Sequence, residues 1–88
     1  RRLRAPYDRG AVALASNPAS AALRVLDLRF NRIEVNGALA LAHSPHLTGL
    51  EALELERNGI GTEGAEALAR SPFLAPKVRA RWEQHQRG

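Results

Sequence analysis

The 88-residue chain contains no cysteine and no methionine. Without cysteine there are no disulfides and no thiolate metal sites, and the absence does not point to a compartment. Long apolar runs are also missing. No stretch approaches the roughly 18 apolar residues that a membrane-spanning helix needs, so no membrane partner is expected. Residues 1–4 read Arg-Arg-Leu-Arg and lack the apolar stretch of a secretory signal. With no initiator methionine, the chain is expected to be a fragment or a processed product.

Catalytic machinery is equally sparse. Gly59 and Gly61 fall between a predicted strand and a predicted helix, which does not make a phosphate-binding loop. Ser16, Ser20, Ser44 and Ser71 all lie near prolines, and no serine–histidine–aspartate arrangement can be built on them. His43 and His46 have an H-x-x-H spacing, but Ser44 and Pro45 lie between them and prevent one continuous helix face. A closed zinc site wants four ligands, and no third is evident nearby. His85 is isolated in a polar tail. Asp27 and Glu54 could imitate a carboxylate dyad but have no pocket around them. The reading is therefore not an enzyme, with no cofactor and no metal.

The net charge of +4 hides an uneven layout. Residues 1–30 carry six arginines against two acids, and residues 70–88 carry five basic residues against Glu83 alone. Between them, residues 31–69 carry Arg32 and Arg57 against six glutamates. Basic ends suit an acidic partner or nucleic acid. The acidic middle and the lack of aromatic residues interleaved with basic ones make nucleic acid the weaker reading.

The strongest signal is repetition. Gly10, Gly37 and Gly64 each open a glycine-alanine step and stand 27 residues apart. Residues 23–49 laid over residues 50–76 without gaps give 13 identities in 27 positions. Chance composition would give about two. Residues 1–22 keep the frame less well, with Pro6 and Ser20 at positions where the other units carry isoleucine and leucine. Residues 77–88 have nearly lost it: Lys77, Ala80 and Trp82 stand at the three leucine positions. The expected organisation is a degenerate unit (1–22), two full repeats (23–49 and 50–76) and a C-terminal cap or remnant (77–88).

Each unit can be read physically. Leu-x-x-Leu-x-Leu alternates apolar and polar residues as a half-buried strand does, predicting strands over 25–28 and 52–55. Asn31 and Asn58 follow, where a carboxamide can satisfy backbone groups as the chain turns off the sheet. Ile33 and Ile60 return to the interior. Gly37 and Gly64 are expected to open short helices, with Ala38, Leu41 and Ala42, or Ala65, Leu68 and Ala69, on one face. Pro45 and Pro72 end those helices. Pro76 could start a further helix with Val78 and Trp82 spaced i, i+4, or the segment could be a third strand remnant. Either way Trp82 reads as core.

The unit LxxLxLxxNxIxxxGAxxLAxSPxL, with GALALAHSPHL at 37–47 and GAEALARSPFL at 64–74, resembles the leucine-rich repeats of the ribonuclease-inhibitor-like class. It is similar above all to tandem repeats found in bacterial proteins. The resemblance covers roughly residues 10–76. It implies an α/β leucine-rich-repeat solenoid, a short right-handed superhelix with parallel strands on the concave face and helices on the convex face. It implies no particular partner, because such folds host many.

In that frame Val25, Asp27, Arg29 and Phe30 from one strand, and Ala52, Glu54, Glu56 and Arg57 from the next, face the concavity. The expected function is a non-catalytic protein-interaction module. A 27-residue register sets Asp27 beside Glu54, Glu54 beside Arg81, and Arg29 beside Glu56. Arg29 and Glu56 are expected to pair. Asp27 against Glu54 is a like-charge contact that a basic partner residue could relieve, unless Arg29 and Arg81 already offset it. Phe30 beside Arg57 is a hot-spot pairing, unless Phe30 folds over Leu28. Two full repeats fall short of the three or so that bury a continuous core. Further repeats towards the N-terminus, or self-association, are therefore expected.

Overall fold

The computed structural model describes residues 7–87, with side chains over residues 8–83. The basic residues 1–4, Pro6 and the side chain of His85 lie outside that description. The order of elements is helix α1 (Tyr7–Ser16), a 3-10 helix (Pro18–Ala22), strand β1 (Val25–Asp27), helix α2 (Val35–Ala42), strand β2 (Ala52–Glu54), helix α3 (Gly61–Ala69) and helix α4 (Pro76–Arg87).

Strands β1 and β2 run parallel, with Val25 opposite Ala52, Leu26 opposite Leu53 and Asp27 opposite Glu54. The offset is the sequence repeat itself. Pairing continues into the turns: the Leu28 N–H donates to the Glu54 carbonyl at 2.9 Å and the Phe30 N–H to the Glu56 carbonyl at 3.2 Å. Leu26, Leu53 and Leu55 are buried and Leu28 is half-buried, so the alternating leucines share one side. Ile33, Ile60, Leu47, Leu50 and Leu74 join them in a single interior. Each is an apolar side chain removed from water, the main stabilising term for a chain this small.

The turns are held from one repeat to the next by Asn58. Its carboxamide oxygen accepts from the N–H groups of Asn31 (3.0 Å) and Ile33 (2.8 Å). Its nitrogen donates to the carbonyls of Leu28 (2.9 Å) and Leu55 (3.0 Å). A turn leaves backbone groups that neither strand nor helix can pair, and a carboxamide brings both a donor and an acceptor.

The helices begin earlier than the sequence pattern predicts. Gly37 and Gly64 lie within α2 and α3 instead of opening them. Their role is close approach. A Cβ on Gly37 would meet the Asp8 carboxylate at 2.5 Å and Ile33 at 2.6 Å, and one on Gly64 would meet Ile60 at 2.9 Å and Ala38 at 3.0 Å. The alanines serve the same end, since Ala38, Ala42, Ala65 and Ala69 are all buried where helices meet. Helices α1, α2, α3 and α4 pack in sequence order, each on the next.

Helices α2 and α3 end at Ala42 and Ala69, before the Ser-Pro steps. The serines do more than mark a stop. The Ser44 hydroxyl donates to the Ala15 carbonyl at 2.6 Å, and the Ser71 hydroxyl to the Ala42 carbonyl at 2.5 Å. Both are buried. Each ties its own unit to the end of the previous helix.

The C-terminal segment is a helix, not a third strand. Pro76 begins α4 where a missing N–H costs nothing. Val78 and Trp82, one turn apart, are buried against the last repeat. The described residues extend over 40 × 25 × 17 Å.

Candidate partner-binding face

Alternation along β1 sends Leu26 inward and leaves Val25 and Asp27 exposed. Beyond the strand, Phe30 and Arg57 occupy equivalent places in the two repeats. Both take left-handed backbone conformations, with φ of 63° and 64°. Bulky L-residues adopt this region at a cost of about 1–2 kcal/mol. Phe30 is 72% exposed and Val25 59% exposed. Phe30 therefore does not fold over Leu28 to shield it; it projects into solvent.

The charged residues sort differently from the expected pairing of Arg29 with Glu56. Arg29 instead grips Asp27 two residues earlier. Its Nε and Nη2 donate to the two carboxylate oxygens at 2.9 and 2.7 Å, and its backbone N–H adds a third bond at 3.2 Å. Residues i and i+2 lie on the same side of an extended chain, so this fork forms with little reach. The Arg29 side chain and backbone N–H hold the Asp27 carboxyl down to about 2. The same contact raises the Arg29 guanidinium further.

Glu56 turns to Arg81, as does Glu54, which lies 3.1 Å from the Arg81 guanidinium. The 27-residue frame puts Arg81 next to Glu54, yet Arg81 arrives from helix α4 and so reaches both glutamates. The like-charge contact of Asp27 with Glu54 is thus offset from within, by Arg29 on one side and Arg81 on the other. A basic partner residue is not needed there. Ala52 and Glu54 are half-buried, and Glu56 and Arg57 are exposed. Sequence reading missed Arg81 as a bridge to Glu56. The only signal for it was the helical spacing of Val78 and Trp82, which turns Arg81 back over β2.

Among the described residues, no group of three or more histidine, aspartate or glutamate side chains could hold a metal ion. The His43 ring contacts the Leu39 carbonyl at 2.9 Å. No helix among the described residues is long and apolar enough to cross a membrane.

Strand, carboxamide-bridged turn, helix and return, passed twice at one period, define a tandem strand–helix repeat protein. A family model described as a leucine-rich repeat matches residues 20–42 and 43–69, more than half of the 88-residue chain. The chain belongs to the leucine-rich-repeat family. No curated protein and no solved structure matches it.

Proposed function

We propose that the chain is a non-catalytic module that holds a protein partner on its strand face, formed by Val25, Asp27, Arg29, Phe30, Ala52, Glu54, Glu56 and Arg57. Leucine-rich repeats generally serve protein interaction, and this supports the class of function. In this reading the two strand–helix units are turns of a short right-handed solenoid of the ribonuclease-inhibitor-like, bacterial type. The strand face is its concave side. The units run over 23–49 and 50–76, with residues 1–22 a worn repeat and 77–88 a cap.

The observation that carries the reading is the exposure of Phe30 on a strained left-handed backbone beside Arg57. Strain at a bulky residue persists only where surrounding structure enforces it, and such residues gather at functional places. An exposed aromatic next to an arginine is the composition of interface hot spots. The ion pairs around it are satisfied internally, so they select by shape and exclude unpaired charge without supplying most of the affinity.

The test is affinity capture with the intact protein followed by binding measurements on Phe30→Ala. The expected result is a loss of tenfold or more, corresponding to about 1.4 kcal/mol. An unchanged affinity for both Phe30→Ala and Val25→Ser would remove the strand face from consideration.

A further inference from the structure

The two ion-pair systems of the strand face have different origins. Asp27 and Arg29 lie two residues apart in one segment, and their fork is complete within it. Glu54 and Glu56 are also two residues apart, but the guanidinium that joins them comes from neither repeat. It belongs to Arg81 of helix α4, whose Nη1 lies 3.1 Å from Oε1 of Glu54 and whose Nη2 donates to Oε2 of Glu56. The group that fills this part of the face is therefore delivered from outside the strands, as a partner's side chain would be.

The chemistry of the contact is specific. One planar guanidinium serves two carboxylates with separate nitrogens, which the compact charge of a lysine ammonium does not reproduce. The contact is also exchangeable. The Arg81 side chain is 46% exposed, and ion pairs at the solvent boundary contribute little to stability. The backbone under it is fixed, because Val78 and Trp82 are buried. The Arg81 side chain can thus leave the glutamates by rotating about its own bonds while α4 stays in place. A second position is close by, since its guanidinium carbon already lies 6.0 Å from the centre of the Trp82 ring, within reach of a cation–π contact. Charge makes the exchange consequential. With Arg81 in place the formal charges of Asp27, Arg29, Glu54, Glu56, Arg57 and Arg81 cancel, and with Arg81 turned away the face carries a net negative charge.

We infer that Arg81 is an autoinhibitory contact: it holds the Glu54–Glu56 pair in the free chain, and an arginine of the partner displaces it in the complex. The inference rests on the strand face being the partner-binding face, and it adds the chemistry of the partner, a segment that presents an arginine beside the groove-facing Phe30. The exchange replaces one guanidinium by another, so the two glutamates remain paired throughout. Affinity is reduced by the fraction of chains in which Arg81 occupies the pair, because the partner meets a competitor tethered at the site.

The test titrates the 88-residue chain and its Arg81→Gln variant with the blocked peptide Ala-Arg-Ala-Arg-Ala and with its lysine counterpart. Binding is followed by the NMR shifts of the Glu54 and Glu56 side chains. Arg81→Gln should bind the arginine peptide about tenfold or more tightly than the parent does, the scale of a charge-assisted bridge freed from its competitor. The lysine peptide should gain clearly less. Adding Glu54→Gln and Glu56→Gln to Arg81→Gln should remove the gain. Arg81→Lys, which keeps the charge on α4 without the fork, should show a smaller gain in the same direction and decides the matter if Arg81→Gln folds poorly. Equal or weaker binding by the Arg81 variants would overturn the inference, as would equal gains for the two peptides or no shift of Glu54 and Glu56 at millimolar peptide. Phe30→Ala decides the strand-face reading separately. A partner lost with Phe30→Ala but bound equally by parent and Arg81→Gln would keep that face and overturn the role of Arg81.

Discussion

At the scale of single residues, the fold depends on small polar side chains that span repeats. Ser71 is the clearest. Its hydroxyl donates to the Ala42 carbonyl and accepts from the N–H groups of Phe73 and Leu74 at 3.1 and 3.2 Å, all from a buried position. Ser71→Ala leaves buried backbone groups short of partners and is expected to cost about 1–3 kcal/mol. Urea unfolding measures this as a lower midpoint at an unchanged slope. A midpoint equal to that of the parent would mean that water replaces the hydroxyl. Asp27 makes a prediction of a different kind. Its folded-state pKa is depressed to about 2, with the Arg29 side chain as the first cause. A depressed carboxyl pKa gives stability that is fully present above the unfolded-state value and is lost as pH falls through the folded-state value. The window is therefore about pH 4 down to about 2. In Arg29→Leu, the Asp27 carboxyl carbon should titrate at higher pH by NMR, and the part of acid destabilisation due to Asp27 should shrink. An unmoved titration would dismiss the Arg29 fork as the cause.

At the scale of elements, period and position were legible but contact partners were less so. The strands, their register, the buried isoleucines and the inward faces of α2 and α3 follow from leucine, isoleucine and alanine recurring every 27 residues. Side-chain direction on strands and helices is fixed by backbone geometry, so these needed no tertiary knowledge. The helix starts were not legible, and of the ion pairs around β2 the register placed only Arg81 beside Glu54, not the Arg29–Asp27 fork or the reach of Arg81 to Glu56. They depend on which long side chains reach across, and Arg81 comes from a segment whose pattern had decayed. The two glycines show the difference. The sequence marks them as helix openers, whereas the structure uses them as points of close approach inside helices. Gly64→Ala should gain up to about 1 kcal/mol in helix propensity. Its new methyl would sit 2.9 Å from the Ile60 Cβ and 3.0 Å from the Ala38 Cβ, neither of which can swing away. Overpacking of this kind costs about 1–3 kcal/mol, so net destabilisation is expected. Gly59→Ala is the control, because its nearest contact would be an ordinary 3.8 Å. Its midpoint should stay within about 0.5 kcal/mol of the parent. If thermal melts showed both variants equally stable, the close-approach role of Gly64 would be wrong.

At the scale of the whole molecule, the two ends of the short sheet are treated differently. Beyond β2 stands α4, with Trp82 closing the core and Arg81 binding the two glutamates. On the other side of β1, no strand pairs with it among the described residues. An unpaired strand edge is a template for another strand, and natural proteins blunt such edges with charge. β1 has little of that protection at its start, where Val25 lies 59% exposed. The chain is therefore expected to associate through this edge as its concentration rises. Sedimentation velocity across a range of concentrations should show mass above that of one chain. Val25→Lys should suppress this, because a lysine ammonium on the edge must be desolvated for a second strand to dock. The same substitution should leave the melt of the single chain nearly unchanged, since position 25 buries little. A monomer at every concentration would show that the β1 edge is closed to a second strand, and would count against self-association of this chain.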